Sequence, residues 1–326
     1  MYLGDVNTST KNNIISFILT IYKNCYGHLY LDDTLYRHII RGVNDKFTVR
    51  QFNYRFPTED ACLEEIKILR FGETPACPSC GVINKFYKLK SRKAYSCSAC
   101  RFQIYPLKGT IFEKSTTPMK DWFYAIYLMT QTRAGMSAKQ LERMLGVTYK
   151  TAWRMFHQIR KLMADDSDML TGDVEIDEVY FHPDSTRRTS VKTNNSQIVL
   201  GMVERKGRAK VKHVRTSGTR ILVPEIMGGV AMNAQIYTDG YYSYKQLDKI
   251  GYARKTINHA IGEYVNGSTH TQNVENLWAN IKRGIYGVYR HVDPKYLQAY
   301  VDEYAFRYSN RSNPKMFDSI LTKISI

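Results

Sequence analysis

The sequence lacks a hydrophobic run long enough to cross a membrane, and it has few acidic residues for its many basic ones. The longest apolar run near the N-terminus covers only residues 14–22, whereas a transmembrane helix needs about 20 apolar residues. No small-residue cleavage site follows this run, which argues against a secretory signal peptide. The 326 residues include 47 Lys and Arg but only 30 Asp and Glu, a formal net charge of +17. This excess favours a polyanionic partner, nucleic acid ahead of an anionic membrane surface.

Cysteine is also scarce, with six residues in the whole chain. Four of them form two CxxC pairs at the spacing of a four-cysteine zinc site, namely Cys77, Cys80, Cys97 and Cys100. Two disulfides or two redox pairs are the competing interpretations, but each CxxC pair would then have to act alone. Four reduced thiolates require a reducing compartment, so we expect an intracellular protein. Cys25 and Cys62 are predicted to be ordinary buried thiols.

The pattern along the chain predicts four segments, and a hydrophobic fraction of 43% is enough to give more than one of them a core. Helix-like stretches at 14–24 and 34–41 predict a helical arm that carries no motif. Helix-start signals at 57–60 and alternating strands at 86–89, 93–96 and 102–105 frame the cysteine pairs. The predicted segments are a helical N-terminal arm at 1–56, a zinc ribbon at 57–116, a helix-turn-helix domain at 117–170 and a strand-rich domain at 171–326.

A glycine turn separates two helical patterns in the third segment. Predicted helices at 137–145 and 149–163 flank Gly146, with Thr148 at the N-cap of the second helix. Such a pair often serves packing alone, but behind a zinc ribbon in a basic chain it favours DNA binding. The predicted outward face of the second helix supplies the expected DNA contacts, namely Lys150, Arg154 and His157, with Arg160 beside them.

Strands dominate the fourth segment. Alternation predicts them at 173–181, 198–203, 210–215 and 235–238, with a mobile basic loop at 182–195. In the first strand, alternation places Asp177 opposite Ile176, whereas Glu178 shares the face of Ile176 and is less suited as a ligand. A register error of one residue would exchange the two acids.

Three acidic residues of this segment suit a metal site. Asp177 lies in a strand, Asp239 at the end of another strand, and Glu275 on a helix. Lone acids are usually solvated surface charges, but these three are able to meet at one edge of a mixed sheet. Hard oxygen ligands of this kind suit two Mg²⁺ or Mn²⁺ ions that activate an in-line phosphoryl displacement. Lys282, seven residues after Glu275 on the same helical face, would then position a phosphate, and Arg283 beside it is a further expected DNA contact.

These motifs, taken in order, make the chain similar to the Merlin-type DDE transposases and their bacterial insertion-sequence relatives. The resemblance covers roughly residues 52–320. It rests on the joint occurrence of these stretches: Phe56–Cys62, Cys77–Gly81, Gly172–Tyr180, Tyr237–Gly240, His270–Asn276, Lys282–Gly284 and Tyr304–Tyr308. The first fifty residues have no counterpart in the family. Some relatives carry Asn at the third acidic position, where this chain has Glu275.

The resemblance implies a multidomain α+β protein with a zinc ribbon, a helix-turn-helix and an RNase H-like mixed α/β catalytic core. In that core Asp177, Asp239 and Glu275 would be the metal-binding triad. Such enzymes nick the ends of a mobile element and join the freed 3′-OH to target DNA. The implied partners are double-stranded DNA, both terminal inverted repeats and target, and a second copy of the chain, because two DNA ends must be brought together.

Two other functions compete with this interpretation. A host-adopted, non-catalytic regulator would bind DNA and would be expected to have lost one acid, but all three acids are present. A different RNase H-like nuclease would not need two DNA-binding modules upstream of its core. The sequence therefore predicts a DNA transposase.

Overall fold

The computed structural model describes residues 47–83, 85–164, 168–181, 196–257 and 271–324. Contacts divide the chain into two units, residues 1–54 and 55–326. The described part of the first unit leads into helix α1 (Val49–Arg55), where the hydroxyl of Thr48 accepts a hydrogen bond from the backbone N–H of Gln51. The predicted helices of the arm, Cys25 and the predicted loop at 182–195 lie outside the described residues.

The zinc ribbon follows a capped helix. Helix α2 (Glu59–Phe71) starts after Thr58, whose side chain accepts a hydrogen bond from the N–H of Ala61, as the sequence pattern predicts. Three short strands, β1 (Phe86–Lys88), β2 (Tyr95–Cys97) and β3 (Gln103–Ile104), then form an antiparallel sheet. One face of this sheet packs with α2 in a small core that contains Leu63, Cys77, Phe86, Tyr95, Cys97 and Ile104.

Three helices come next, and the last two form the predicted helix-turn-helix. They are α3 (Met119–Gln131), α4 (Ala138–Leu145) and α5 (Tyr149–Met163). Ser137 caps α4, Gly146 ends it in the left-handed conformation, and Thr148 caps α5. The packed side is apolar, with Leu141, Ala152, Phe156 and Ile159 fully buried. Leu145 and Val147, next to the turn, are only half-buried.

A five-stranded mixed sheet carries the C-terminal region. Its strands are β4 (Asp173–Phe181), β5 (Gln197–Glu204), β6 (Ala209–Val214), β7 (Gln235–Asp239) and β8 (Ala253–Ile257). They lie in the order β6-β5-β4-β7-β8. Strand β5 is antiparallel to both of its neighbours, β4 and β6, and β7 is parallel to both β4 and β8. This is an RNase H-like order, so the predicted fold class is confirmed. Strand β8 is an addition to the four predicted strands.

One face of the large sheet packs against two helices. These are α6 (Thr219–Gly229) and, after a short 3₁₀ turn, α7 (Lys245–Ile250). Val174 and Ile176 of β4 and Leu200 of β5 belong to this core. Because residues 174 and 176 alternate with 175 and 177, the acids at 175 and 177 face the other side of the sheet.

The opposite face packs against α8 (Gln272–Arg283) and α9 (Leu297–Ser309). Helix α8 continues into one π-helical turn at Gly284–Tyr289, and a short 3₁₀ helix precedes α9. The last helix, α10 (Met316–Lys323), packs back against α2 and α3. Val274, Leu277 and Ile281 hold α8 against the sheet, and all three are fully buried. The helix that carries Glu275 is therefore fixed over one face of the sheet.

A buried charge cluster joins α5 to α9. Nε of Arg160 lies 2.7 Å from Oε2 of Glu303, and Arg307 reaches Oε1 of the same carboxylate at 2.6 Å. The Tyr289 hydroxyl donates to Glu303, and the guanidinium of Arg160 lies 3.9 Å from the ring centroid of Tyr300. Burial favours protonation of Glu303, but the two guanidiniums outweigh it and lower its pKa. The prediction that Arg160 faces outward is wrong: its side chain is only 2% exposed, because its partner lies on α9.

Replacing Glu303 by Gln is expected to lower the free energy of unfolding by about 3–5 kcal/mol, because two buried guanidiniums then lack a counter-charge. Lys139→Gln is the matched control, since it breaks an ion pair to Glu142 whose lysine is 64% exposed. That change should cost less than about 1 kcal/mol. Denaturant unfolding monitored by circular dichroism measures both. Equal losses of unfolding free energy in the two variants would show that the buried cluster stabilises the protein no more than an exposed ion pair does.

Candidate functional site

Four cysteine sulfurs meet between the two turns of the zinc ribbon. The ligand atoms of Cys77, Cys80, Cys97 and Cys100 all lie within 4.8 Å of one another. Sγ of Cys77 is 3.5 Å from Sγ of Cys100, and Sγ of Cys80 is 3.9 Å from Sγ of Cys97. A tetrahedron with Zn–S bonds of about 2.3 Å has edges of about 3.8 Å. The four thiolates therefore fit a structural zinc ion.

The two CxxC turns share one backbone geometry. The N–H of Gly81 donates to the carbonyl of Cys77, and the N–H of Arg101 donates to the carbonyl of Cys97. Both donors have positive φ, 70° for Gly81 and 63° for Arg101. Glycine adopts this region freely, whereas arginine does so at a cost of about 1–2 kcal/mol. Burial opposes ionisation of Cys77, but the backbone N–H groups of Ser79 and Cys80 lower its pKa, which favours the metal-binding thiolate.

The structure brings the three predicted acids to one face of the large sheet. The pairing of β4 with β7 ends at Glu175 and Tyr237, and Asp177 and Asp239 each lie two residues further along their strands. Glu275 lies in the first turn of α8, which packs over that face. Asp177 interacts electrostatically with both other acids. The sequence order strand, strand end and helix thus becomes one local group of carboxylates.

A tryptophan from α8 holds Asp177 in place. Nε1 of Trp278 donates to Oδ2 of Asp177 at 2.9 Å, and the Trp278 ring belongs to the core between α8 and the sheet. Gly201, the β5 neighbour of Asp177, makes room for the ring, because a Cβ there would come within 2.5 Å of it. Burial raises the pKa of Asp177 to about 6; the indole N–H opposes the rise, and the charges of Asp239 and Glu275 add to it.

Glu178 occupies the other side of β4. The Tyr244 hydroxyl, which belongs to the opposite core, donates a hydrogen bond to the Glu178 carboxylate. Burial raises the pKa of Glu178 to about 7, Tyr244 opposes this rise, and the charges of Asp177 and Asp239 add to it. The strand register expected from the alternation is therefore confirmed, with Asp177 on the α8 side and Glu178 on the Tyr244 side.

Glu175 anchors the helix that carries Glu275. This carboxylate is fully buried, and its Oε2 accepts hydrogen bonds from the backbone N–H groups of Asn273 and Val274, at 2.7 and 3.2 Å. Its Oε1 accepts from Nε of Arg205 and from the Asn273 side chain. A negative charge at a helix N-terminus satisfies free N–H groups and complements the helix dipole. Glu175 therefore fixes where α8 begins relative to β4.

Our sequence analysis missed Glu175 as a functional residue. The local signal was the alternation of side chains along β4, which puts Glu175 on the same face as Asp177 and Val179. Glu175 is therefore buried once a helix covers that face. Its partners on α8 are 98 and 99 residues away in the chain, and no local pattern identifies them.

Replacing Glu175 by Gln is expected to fray the first turn of α8, because the new amide group faces donors that previously met a carboxylate oxygen. Hydrogen–deuterium exchange of residues 272–278 should become faster, and the free energy of unfolding should fall by about 1–3 kcal/mol. Glu275→Gln is the matched control, since Glu275 accepts a hydrogen bond from the Thr271 hydroxyl at the same helix end. If both variants exchange at the same rate, Glu175 does not anchor the helix.

The four cysteines differ from the three acids in how closely their ligand atoms gather. Within the described ranges, only the cysteines form a group of three or more ligand side chains whose donor atoms all lie within 4.8 Å of one another.

The predicted DNA contacts of the helix-turn-helix differ in exposure. Lys150 and Arg154 are exposed on α5, whereas His157 is half-buried. Its ring stacks on Trp153 with centroids 5.1 Å apart and meets the edge of Tyr296. Burial, with nearby cations, lowers the pKa of His157, so the ring is neutral near pH 7. Its part in DNA binding stays a prediction, as do those of Lys150 and Arg154.

Lys282 and Arg283 lie at the far end of α8. Seven residues separate Lys282 from Glu275, about 10 Å along the helix axis, and the Lys282 side chain is partly exposed. The exposed Arg283 donates to the carbonyl of Ala279 and to the side chain of Asn280. The structure thus places both cations in the last turn of α8, about two turns from Glu275.

Two family comparisons cover most of the ribbon and of the large-sheet region. Residues 57–103 match the transposase zinc-ribbon domain, and residues 169–309 match the ISXO2-like transposase domain. The chain therefore contains a transposase zinc-ribbon domain followed by an ISXO2-like transposase domain. The second match contains Asp177, Asp239 and Glu275, and the first contains all four cysteines. A transposase role is therefore supported by both domains of the protein.

One curated protein and one solved structure were also compared with the chain. The chain is 26% identical over 258 residues to an uncharacterized protein in transposable element ISH50 of Halobacterium salinarum, covering 71% of this chain and 86% of that protein. A chain of the cryo-electron-microscopy structure of the simian T-cell lymphotropic virus intasome with PP2A regulatory subunit B56 gamma aligns at 13% identity and a TM-score of 0.26. That alignment covers 56% of this chain and 65% of the solved chain. Among the described helices, none is both long and apolar enough to span a bilayer.

Proposed function

We propose that this transposase binds the terminal inverted repeats of a mobile element as double-stranded DNA, cleaves at the element ends and joins the freed 3′-OH to target DNA. The observation that carries the proposal is that Asp177 lies near enough to Asp239 and Glu275, on one face of an RNase H-like sheet within a transposase domain, to interact with both electrostatically. The protein would act on DNA inside the cell, as a dimer or larger assembly, because two element ends must be joined together.

Asp177, Asp239 and Glu275 would hold two Mg²⁺ or Mn²⁺ ions. When bound, such a pair lowers the pKa of the attacking hydroxyl and neutralises the leaving oxygen of an in-line displacement. The chain's own contribution is to position the ligands. The indole N–H of Trp278 donates to Oδ2 of Asp177 and not to Oδ1. The N–H of Tyr241 donates to Oδ1 of Asp239 at 2.9 Å.

Other residues would hold the DNA. Lys282 would place a phosphate near the carboxylates, and Arg283 would contact the backbone beside it. Lys150 and Arg154 are exposed on the second helix of the helix-turn-helix, and His157 lies next to them. In this motif the second helix is the one that enters the major groove of DNA. The buried cluster around Glu303 joins that helix to α9 of the catalytic core, so a DNA end bound there keeps a fixed relation to the acids.

A joining reaction tests the proposal. Full-length protein is mixed with a pre-cleaved element end, a plasmid target and Mg²⁺ or Mn²⁺, and products are resolved on a gel. Joined products that require the divalent ion support the proposal. Binding to the ends without joining, in either ion, would favour a non-catalytic DNA-binding regulator derived from a transposase.

A further inference from the structure

The outward face of the ribbon's sheet is basic and aromatic. Residues 74–112 contain seven Lys and Arg and no Asp or Glu. Alternation along β1, β2 and β3 sends Phe86, Tyr95 and Ile104 into the small core and leaves the intervening side chains on the other face. We define this outward set as the ribbon face: Lys85, Tyr87, Ser96, Gln103 and Tyr105.

Strand pairing places the members of the ribbon face next to one another. Tyr87 lies opposite Ser96, and Ser96 lies opposite Gln103. The hydroxyl of Tyr105 donates to Oε1 of Gln103 at 2.9 Å. The carbonyl of Lys85 accepts from the N–H of Ser98, which continues the same pairing beyond the strand. The face is therefore a contiguous surface across all three strands.

Both tyrosine rings of the ribbon face are open to solvent. Tyr87 is 61% exposed and Tyr105 is 44% exposed. A single exposed tyrosine is ordinary, but two rings on one small sheet, flanked by cations, form a surface on which bases stack. Paired bases do not offer their ring faces to such a surface, whereas unpaired bases do. The rings therefore favour single-stranded over double-stranded DNA.

The charges near the ribbon face also suit a DNA strand. Two ribbon lysines are already paired with acids of α2, Lys88 with Asp60 and Lys93 with Glu59. Lys85 and Arg101 are exposed and make no ion pair with any residue that the structure describes. Arg101 is tied to the face through its carbonyl, which accepts from the Ser96 hydroxyl. A strand that stacks on the rings would thus meet free cations along its phosphates.

We propose that the ribbon face binds an unpaired DNA strand by stacking bases on Tyr87 and Tyr105 while Lys85 and Arg101 contact its phosphates. This goes beyond the proposed function, which requires only that the protein bind duplex element ends. It assigns to the ribbon a second task besides holding zinc. The surface would capture the strand that becomes unpaired when an element end opens at the cleavage point.

Fluorescence anisotropy of the full-length, zinc-loaded protein tests the inference. The probes are a dye-labelled single strand of about 16 nucleotides, within the span of known single-strand sites, and the same strand in a duplex. Changing Tyr87 and Tyr105 together to Ala is expected to weaken single-strand binding by about 30-fold or more, since each stacked base usually contributes at least about fivefold. Binding of the duplex should stay within about twofold of the wild type, because paired bases do not stack on the rings.

Three controls separate stacking from other causes. Tyr87→Phe with Tyr105→Phe keeps both rings and should keep single-strand binding, and Tyr54→Ala removes a 49% exposed tyrosine outside the ribbon and should change nothing. Lys85→Gln and Arg101→Gln should each reduce the slope of log affinity against log salt by about 0.7 on the single strand. Zinc content is measured for every variant, so that loss of the ribbon fold is detected directly.

The outcomes distinguish this inference from the proposed function. Equal loss of single-strand and duplex binding in the Ala variant would overturn it, as would loss in the Phe variant equal to that in the Ala variant. A protein that binds the strand through the rings but never joins DNA would leave the inference standing and contradict the proposed function. A protein that joins DNA but binds the single strand equally well without the two tyrosine rings would support the proposed function and contradict the inference.

Discussion

Replacing Cys97 by Ser is expected to unfold the zinc ribbon. Cys97 is one of four sulfurs within 4.8 Å of one another, and it is also part of the ribbon's small core, with 2% exposure. Zinc binding in small Cys-rich domains is worth about 10–16 kcal/mol and drives their folding. A three-stranded sheet of two- and three-residue strands has little other stabilisation. We therefore expect zinc to be lost together with amide protection across residues 77–104.

Zinc analysis and hydrogen–deuterium exchange measure this prediction. Cys62→Ser is the matched control, because Cys62 is fully buried on α2 but lies outside the group of four sulfurs. Burial raises the pKa of Cys62 to about 12, so it remains a neutral thiol. The control should keep its zinc and its ribbon protection. A Cys97→Ser protein that retains one zinc and normal protection would contradict the four-cysteine assignment.

Asp177→Asn is expected to abolish DNA joining and, in the absence of metal, to make the protein more stable. Joining should fall by more than about 100-fold, since even the loss of a hydrogen-bond partner of a metal ligand costs about 10–100-fold. Stability should rise because burial penalises the charged Asp177 carboxylate in the folded state, where its pKa is about 6. An Asn oxygen still accepts the Trp278 N–H, so the packing is retained.

The pH dependence of stability follows from this pKa, which is raised above its value of about 3.9 in an unfolded chain. Above about pH 6 the penalty is fully present, and it is relieved as the pH falls towards 4, because the folded protein takes up a proton first. The stability advantage of Asp177→Asn should therefore be about 1–3 kcal/mol at neutral pH and should shrink on acidification.

Denaturant unfolding in a chelating buffer measures this advantage at several pH values. Asp248→Asn is the control of opposite sign, because hydrogen bonds from Arg254 lower the pKa of Asp248. Removing the negative charge of Asp248 should slightly destabilise the protein and leave DNA joining intact. If Asp177→Asn destabilises the metal-free protein at neutral pH, Asp177 serves the fold and not a metal site.

Local rules predicted the helices well. The helix start at 57–60, the cap at Thr148 and the helix end at Gly146 all follow from short-range chemistry, in which a side chain or a glycine satisfies the ends of its own helix. The strand that carries Asp177 was also predictable, because apolar residues stand at alternate positions near its start, Val174 and Ile176, and again at its end, Val179 and Phe181. These features depend on neighbours only a few residues away.

Features set by distant partners were not predictable. Arg160 looked like part of a basic outer face, yet it is buried by an acid 143 residues away. Strand β8 carries three polar residues in its five, Arg254, Lys255 and Thr256, so it lacks the apolar alternation of an ordinary strand. It lies at the sheet edge, where charged residues discourage pairing with other chains. Tertiary structure, not local pattern, decides such positions.

Strand transfer by wild-type protein and by Asp239→Asn tests the central claim most directly. Each protein is given a pre-cleaved element end, a plasmid target and Mg²⁺, with Asp248→Asn as the variant that should remain active. The account predicts joined products with wild type and Asp248→Asn and none with Asp239→Asn, although all three bind the element end equally. Joining by Asp239→Asn at the wild-type rate would contradict the claim that these carboxylates perform the chemistry.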